Sequence, residues 1–323
     1  MKAIVYEQYG PLEVLQFKEL AKPAPADNEV LIKVRAASVN PLDWHFMRGE
    51  PRFIRLMLGL RKPKVTRLGV DVAGRVEAVG RKVTKFKPGD EVFGGCRGAF
   101  AEFVCATENE LALKPANISF EQAASVQVAA ITALQGLCDK GRIKPGHKVL
   151  VDGASGGVGT FAVQIAKSFG AEVTAVCSTR NLEIARSIGA DHLIDYTRED
   201  FTRNGQSYDL ILAANAYHSI FDYRRALSRD GICVKSGGRA SLQAMLLESL
   251  LSLMLSLFGG KKICGFIAKL NKKDLVLLKD LLEAGKVVPV IDRRYPLSDT
   301  AEAIRYLEEG HAQGKVVLIV EHS

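Results

Sequence analysis

The stretch from Lys148 to Lys167 constrains the fold more than any other part of the chain. It opens with a short apolar run, Lys148 to Asp152, that reads as a buried parallel strand. A glycine-rich turn, Gly153 to Gly159, follows. Val158, Phe161, Ala162, Ile165, Ala166 and Phe169 then recur at helical spacing, so a helix begins inside the glycines. Strand, glycine turn and helix in that order aim free backbone N–H groups, and the positive end of a helix dipole, at an anion.

The turn reads Ala154, Ser155, Gly156, Gly157, Val158, Gly159, with alanine in place of the first glycine of G-x-G-x-x-G. Gly156 still lets a pyrophosphate approach the backbone, and Gly159 still lets the helix pack on the strand. A glycine turn of this kind also occurs with no ligand. A second strand, Glu172 to Cys177, arrives at the distance expected of a βαβ unit and favours dinucleotide binding. After that strand an acidic residue would bind the free ribose of NAD. Here the run is Ser178, Thr179, Arg180, two hydroxyls and a guanidinium, which suits the 2′-phosphate of NADP(H). A solvated Arg180 is the plainer alternative.

At 323 residues the chain is long enough for two domains with ample cores. Its net charge of +8 admits phosphates, nucleic acid or anionic membranes as partners. The cations are scattered, so a generally basic surface suited to a polyanionic cofactor is the simpler reading. Six cysteines, at 96, 105, 138, 177, 233 and 264, form no C-x-x-C and no cluster with zinc-ligand spacing. They read as reduced thiols. The first residues enter a strand directly, with no signal or transit pattern, so a cytoplasmic location is expected.

Residues 1 to about 120 are β-rich. Ala3–Tyr6, Val30–Ala36, Val70–Val79, Glu91–Phe93, Phe100–Cys105 and Glu110–Leu113 read as strands separated by Gly, Pro, Asn and Asp, the pattern of a barrel-like β domain. Ser119 with Gln122 forms a capping box that opens a buried helix running to Leu137. From Lys148 to about residue 268 strands and helices alternate. His192–Asp195, Tyr208–Ala213, Gly231–Val234 and Lys262–Phe266 join the first two strands, with helices at Asn181–Ile188, Ser219–Leu227 and Leu242–Phe258. That is an α/β, doubly wound parallel six-stranded sheet. A helix at Lys273–Ala284, an extended run Val287–Ile291, a helix at Ser298–Glu309 and a strand at Lys315–Val320 complete the chain. The last strand is expected to return to the first domain.

The glycine stretch resembles the signature of the quinone oxidoreductases and ζ-crystallins of the medium-chain dehydrogenase/reductase superfamily. The likeness extends to Ser38–Asp43, Leu68–Gly74, Lys87–Phe93, Gly98–Glu102, Thr132–Gln135, Gly189–Asp191 and Gly314–Val317. It implies a GroES-like β-barrel catalytic domain, 1–120 completed by 287–323, and a Rossmann domain, 121–286, with cofactor and substrate between them. Zinc enzymes of the superfamily carry a Cys and a Gly-His-Glu where this chain has Asn40–Asp43 and Gly69-Val-Asp71, and the four-cysteine lobe is absent. Three protein ligands for a catalytic zinc are lacking, so the zinc-independent branch is expected.

The same resemblance places Asn40 and Thr132 against the nicotinamide half of the cofactor and Tyr196 near the adenosine phosphate. A turn residue, a helix hydroxyl and a strand-end aromatic are the plainer readings. Ser236, Gly237 and Gly238 follow a strand on the ligand side of the sheet. His45 stands where relatives often carry a substrate-facing tyrosine, flanked by Trp44 and Phe46. It is a candidate hydrogen-bond or proton donor, or a structural histidine. Tyr217, in Ala214–His218, and Gln127, where proline is common, also depart from the pattern.

The expected activity is hydride transfer from NADPH to quinones or α,β-unsaturated carbonyls without zinc, with a small hydrophobic acceptor as substrate and a homodimer as the assembly. Two alternatives stand. An enoyl-thioester reductase would use a basic cluster, Arg52, Arg55, Arg61, Lys62 and Lys64, for a carrier's phosphate. A non-catalytic NADPH- or RNA-binding protein is the other, although there is no RNA module and nucleic acid is not an expected partner. The apolar stretch Leu242 to Phe258 is too short and polar for stable membrane insertion and is expected to line a pocket or an interface, with a peripheral membrane contact as a minor alternative.

Overall fold

The computed structural model describes residues 1–237 and 260–322. The strands of the first part are β1 (Lys2–Val5), β2 (Gln16–Glu19), β3 (Glu29–Val39), β4 (Asp71–Val79), β5 (Glu91–Gly95), β6 (Phe103–Thr107) and β7 (Leu111–Leu113). Then come β8 (Lys148–Asp152), β9 (Glu172–Cys177), β10 (His192–Asp195), β11 (Tyr208–Ala213), β12 (Leu227–Lys235) and β13 (Lys262–Gly265), and finally β14 (Ile291–Pro296) and β15 (Lys315–Ile319). The helices are α1 (Pro41–Arg48), α2 (Arg55–Leu58), α3 (Phe120–Ala124), α4 (Gln127–Gln135), α5 (Gly157–Ser168), α6 (Leu182–Ser187), α7 (Ile220–Ala226), α8 (Lys272–Glu283) and α9 (Thr300–Glu308).

Two compact units result. The first comprises Met1–Val128, Leu270–Ala284 and Pro289–Ser323, and the second Ala129–Lys269 with Gly285–Val288. In the first, a seven-stranded sheet runs β14-β15-β3-β4-β5-β7, with β6 pairing to β3. The returning strand β15 lies antiparallel to β3, from Val316 opposite Val39 to Ile319 opposite Ala36. Val30, Ile32 and Val34 alternate inward from β3 and pack with Val72, Val92, Phe100, Val104 and Val316. Each such fully buried aliphatic side chain contributes roughly 1.5–3 kcal/mol.

In the second unit the sheet order is β10-β9-β8-β11-β12-β13, and every pairing is parallel. The order reverses between β8 and β11, the switch point where α/β sheets bind ligands at the strands' carboxyl ends. The edge strand β13 stands where Lys262–Phe266 was expected.

Some elements differ from the sequence reading for local reasons. The helix expected from Ser119 to Leu137 does open on the Ser119–Gln122 capping box. It then breaks, because Ser125 Oγ donates to the Gln122 carbonyl at 2.7 Å and the Val128 N–H goes to Asp71 Oδ1 at 3.0 Å instead of into a helical ladder. Helix α8, which the sequence attaches to the second domain, belongs to the first unit. Lys272 Nζ donates to the Leu111 carbonyl there, and Asn117 Nδ2 donates to the Leu282 carbonyl at 2.9 Å. The extended run expected at Val287–Ile291 forms a strand only from Ile291. The Val288 backbone is instead held from both sides by the Gln164 side chain, at 2.7 and 3.0 Å. The helix expected at Leu242–Phe258, and Gly238, lie outside the described residues.

Candidate active site

The second unit builds an anion cradle from backbone. At the end of β8 the N–H groups of Gly153 and Ala154 both donate to the Val176 carbonyl, at 3.2 and 3.0 Å, which turns the chain toward β9. Gly156 is the N-cap of α5 and supplies no side-chain cap. The first-turn N–H groups, those of Gly157, Val158 and Gly159, therefore have no side chain closing them off, the arrangement that receives a phosphate. Gly159 brings the helix against the turn. A Cβ there would lie 2.1 Å from the Gly153 carbonyl oxygen and 2.7 Å from the Ala154 Cα, so no side chain fits.

The segments that flank the cradle are stapled to it. Asn181 Nδ2 donates to Ser155 Oγ at 2.8 Å and to Ser178 Oγ at 3.2 Å. The buried oxygens Asn181 Oδ1 and Ser236 Oγ have no partner among the described residues. Gly237 lies so close to Ala214 that a Cβ would sit 2.1 Å from its carbonyl oxygen. Open helix amides, orphaned buried acceptor and hydroxyl, and glycine-only approaches after β8 and after β12 fit a dinucleotide.

Thr179 differs from its expected role. Its hydroxyl donates to Asp195, the last residue of β10, and Asp195 also accepts from the Thr197 hydroxyl at 2.7 Å. These hydrogen bonds, that from Thr179 foremost, hold the Asp195 carboxyl below its ordinary range. An acid therefore does stand beside the selecting segment, contributed by the neighbouring strand. Arg180 is exposed beside it. Tyr196 follows β10, its N–H donates to the Cys177 carbonyl at 3.1 Å, and its ring is exposed. Thr132 is half-buried on α4. Tyr217 is 76% exposed, after Ala216, whose φ of 47° is a left-handed conformation seldom taken by a residue with a side chain. At the foot of the turn Tyr223 Oη donates to Asp152 Oδ2 at 2.6 Å. Burial raises the pKa of both groups.

The first unit holds a different kind of site. Lys315, at the start of β15, is buried, and its Nζ donates to Asn40 Oδ1 at 2.6 Å while lying 3.6 Å from Asp71 Oδ2. Asn40 Nδ2 donates to Asp71 Oδ2 at 2.9 Å and to the Ser38 carbonyl at 3.2 Å. Ser38 Oγ donates to Asp71 Oδ2 at 2.7 Å. Asn40 also caps α1, its N–H donating to Asp43 Oδ2 at 2.7 Å. Burial lowers the Lys315 pKa and raises that of Asp43 to about 7. The Asn40 amide is thus engaged inside the protein at both its oxygen and its nitrogen. Five residues further on, His45 packs beside Trp44, ring centroids 5.6 Å apart, and burial lowers its pKa, which keeps the imidazole neutral near pH 7.

This donor set does not fit a catalytic zinc. At the positions in question stand an amide, buried carboxylates and a lysine ammonium that already supplies the positive charge. The described residues contain no group of three His, Cys, Asp or Glu arranged to hold a metal.

Two units, one a parallel sheet with an open dinucleotide cradle and the other a β-rich fold completed by the last strand, define a nicotinamide-dependent dehydrogenase or reductase. Residues 26–116 match the family described as "Alcohol dehydrogenase GroES-like domain", and 188–318 that described as "Zinc-binding dehydrogenase". The chain is 36% identical to the NADPH-dependent alkenal/one oxidoreductase of Arabidopsis thaliana, over 98% of this chain and 79% of that protein. It is 34% identical to the chloroplast envelope quinone oxidoreductase homolog of the same plant, over 98% of each. Among solved structures, the quinone oxidoreductase of Coxiella burnetii superimposes with a TM-score of 0.87 at 30% identity, covering 99% of both chains. The chain belongs to the quinone oxidoreductase and alkenal reductase group of the medium-chain dehydrogenase/reductase superfamily, and it is an oxidoreductase. The zinc-independent branch fits it, whatever the wording of the second family description.

Lys315, Asp71, Ser38, Asn181 and Asp195 were not marked as site residues by the sequence. The signal for the first two was present: a lysine opening the apolar strand β15, and an aspartate followed by Val72, Ala73 and Gly74 at the buried start of β4. For Asn181 and Asp195 only the fold brings them to the glycine turn and to Thr179.

Proposed function

We propose that this oxidoreductase transfers hydride from NADPH to quinones or α,β-unsaturated carbonyls, with no metal in the reaction. The observation that carries this reading is the open N-terminus of α5 at the switch point of the sheet, with Arg180 at the end of the next strand. NADPH, when bound, supplies the hydride. Gly156, Gly157, Val158 and Gly159 would hold the pyrophosphate by backbone N–H groups, and Ser178 and Arg180 the 2′-phosphate. Tyr196 would lie along the adenosine, and Thr132, Ser236 and Gly237 toward the nicotinamide.

Asn40 acts in this reading through position. Its amide is engaged by Lys315 and Asp71, and it sets the start of α1. His45, neutral through burial, donates a hydrogen bond to the acceptor oxygen, and water supplies the final proton. Tyr217 would shape the acceptor pocket. We further infer a homodimer formed through the edge strand β13 and a reducing, cytoplasmic location, supported by six cysteines that no disulfide joins.

The test follows nicotinamide absorbance in chelated protein, with NADPH and NADH, against an ortho-quinone and a simple enone. Turnover with NADPH that survives chelation is expected. Tight NADPH binding without turnover of either acceptor would overturn the reading. Light scattering on a size-exclusion column tests the dimer.

A further inference from the structure

A finger of the first unit between Pro51 and Arg67 is built unlike the rest of its surface. Five large apolar side chains in the described residues are more than two-thirds exposed: Leu56 at 71%, Met57 at 83%, Leu60 at 69%, Tyr217 and Ile267. Three of the five fall within five consecutive residues. The stretch from Pro51 to Arg67 also carries six cations, Arg52, Arg55, Arg61, Lys62, Lys64 and Arg67, and no acid. Arg61, Lys62 and Lys64 are exposed directly beside the apolar trio.

The exposure comes with a firmly held backbone. Tyr9 Oη donates to the Gly59 carbonyl at 2.7 Å. Arg55 turns inward, donating to the Gly49 and Arg48 carbonyls at 3.0 Å each, with its guanidinium 4.5 Å from the centre of the Tyr9 ring. The Lys64 N–H closes the finger on the Leu58 carbonyl at 2.8 Å. Gly59 makes the bend at a φ of 122°, where a Cβ would meet the Lys62 carbonyl oxygen at 2.1 Å. A finger whose backbone is satisfied internally can present bare apolar side chains to an apolar medium at little cost. Because Arg55 is engaged within the protein, it does not contribute to a phosphate clamp for a carrier.

We propose that this finger docks the protein on an anionic lipid surface. Leu56, Met57 and Leu60 enter the boundary between headgroups and acyl chains, and Arg61, Lys62 and Lys64 pair with lipid phosphates and carboxylates. Apolar insertion together with a cationic rim is the combination that gives reversible interfacial binding. The positive charge selects an anionic surface and makes binding sensitive to salt.

The test is co-sedimentation of the full chain with phosphatidylcholine vesicles, with and without phosphatidylserine. Binding is expected only with phosphatidylserine, and release is expected in high salt. Replacing Leu56, Met57 and Leu60 together by Ser should weaken partitioning by more than about tenfold. Arg61→Gln, Lys62→Gln and Lys64→Gln should each cost about fivefold. Arg293→Gln with Arg294→Gln, which removes two charges elsewhere, more than any single finger variant, should leave partitioning within about twofold. Thermal unfolding of each variant checks that it folds. No binding to phosphatidylserine vesicles at low salt overturns the proposal, as does binding that survives both sets of finger variants. Self-association abolished by the Leu56, Met57 and Leu60 replacement, or capture of an acidic acyl carrier without vesicle binding, would also overturn it and assign the finger to a second copy or to a carrier.

Discussion

The glycine turn of the second unit and the lysine cluster of the first solve the problem of placing charge in opposite ways. The turn offers the N–H groups of α5 to an anion and removes every side chain that would obstruct them. The cluster buries Lys315 against Asp71 and Asn40 and saturates each with a partner. An open site tolerates loss of its ligand, because its donors then face solvent. A closed one does not tolerate loss of a member, because the remaining charge has nowhere to go.

Variants that sharpen this contrast should differ in size of effect. Lys315→Met leaves the Asp71 carboxylate buried beside an apolar chain and should cost ~3–5 kcal/mol in urea unfolding followed through Trp44, the sole tryptophan. Adding Asp71→Asn should recover much of that loss. A double variant as unstable as Lys315→Met alone would break the charge-pair account. Gly159→Ala should act on binding instead. The new Cβ pushes α5 away from Gly153, and NADPH affinity measured by fluorescence titration should fall about tenfold or more, with urea unfolding followed through Trp44 much less affected. Arg180→Ala should weaken NADPH about tenfold and leave NADH unchanged, since only the 2′-phosphate loses a charge-assisted partner. Equal losses for both cofactors would remove Arg180 from the selecting role.

Asp43→Asn should act through the pH dependence of stability. Folded Asp43 titrates at about 7, against roughly 3.9 for an exposed aspartate. Between those values the folded chain keeps a proton that the unfolded chain has released. Stability from this group is therefore full below about pH 4 and is lost as pH rises toward 7. Asp43→Asn should flatten that slope in melting temperatures recorded across the window.

The second unit was legible because its pattern is local. The strands Lys148–Asp152, Glu172–Cys177, His192–Asp195 and Tyr208–Ala213 stand at the residues read from hydrophobic pattern and turn chemistry alone. Backbone function also leaves its mark in sequence as glycine. The first unit was legible as a β-rich fold but not as a site. Lys315 and Asn40 lie 275 residues apart, and nothing in either local sequence names the other. The Thr179 hydroxyl points to a 2′-phosphate in the sequence for the same reason, its partner Asp195 lying on the next strand.

Strand β15 stands between β14 and β3 inside the first unit's sheet, and it brings the cation for Asp71 and the partner for Asn40. During synthesis the second unit's sheet, whose strands all precede residue 266, can assemble as soon as that stretch is released. The first unit must wait. Until residue 315 emerges, residues Ala36 to Val39 of β3 lack their β15 partner and the Asp71 carboxylate lacks the Lys315 cation. A nascent chain stalled before residue 315 should therefore carry a protease-resistant dinucleotide unit beside an unfinished, protease-sensitive β sheet, so that cofactor binding precedes the folding of the domain it will serve.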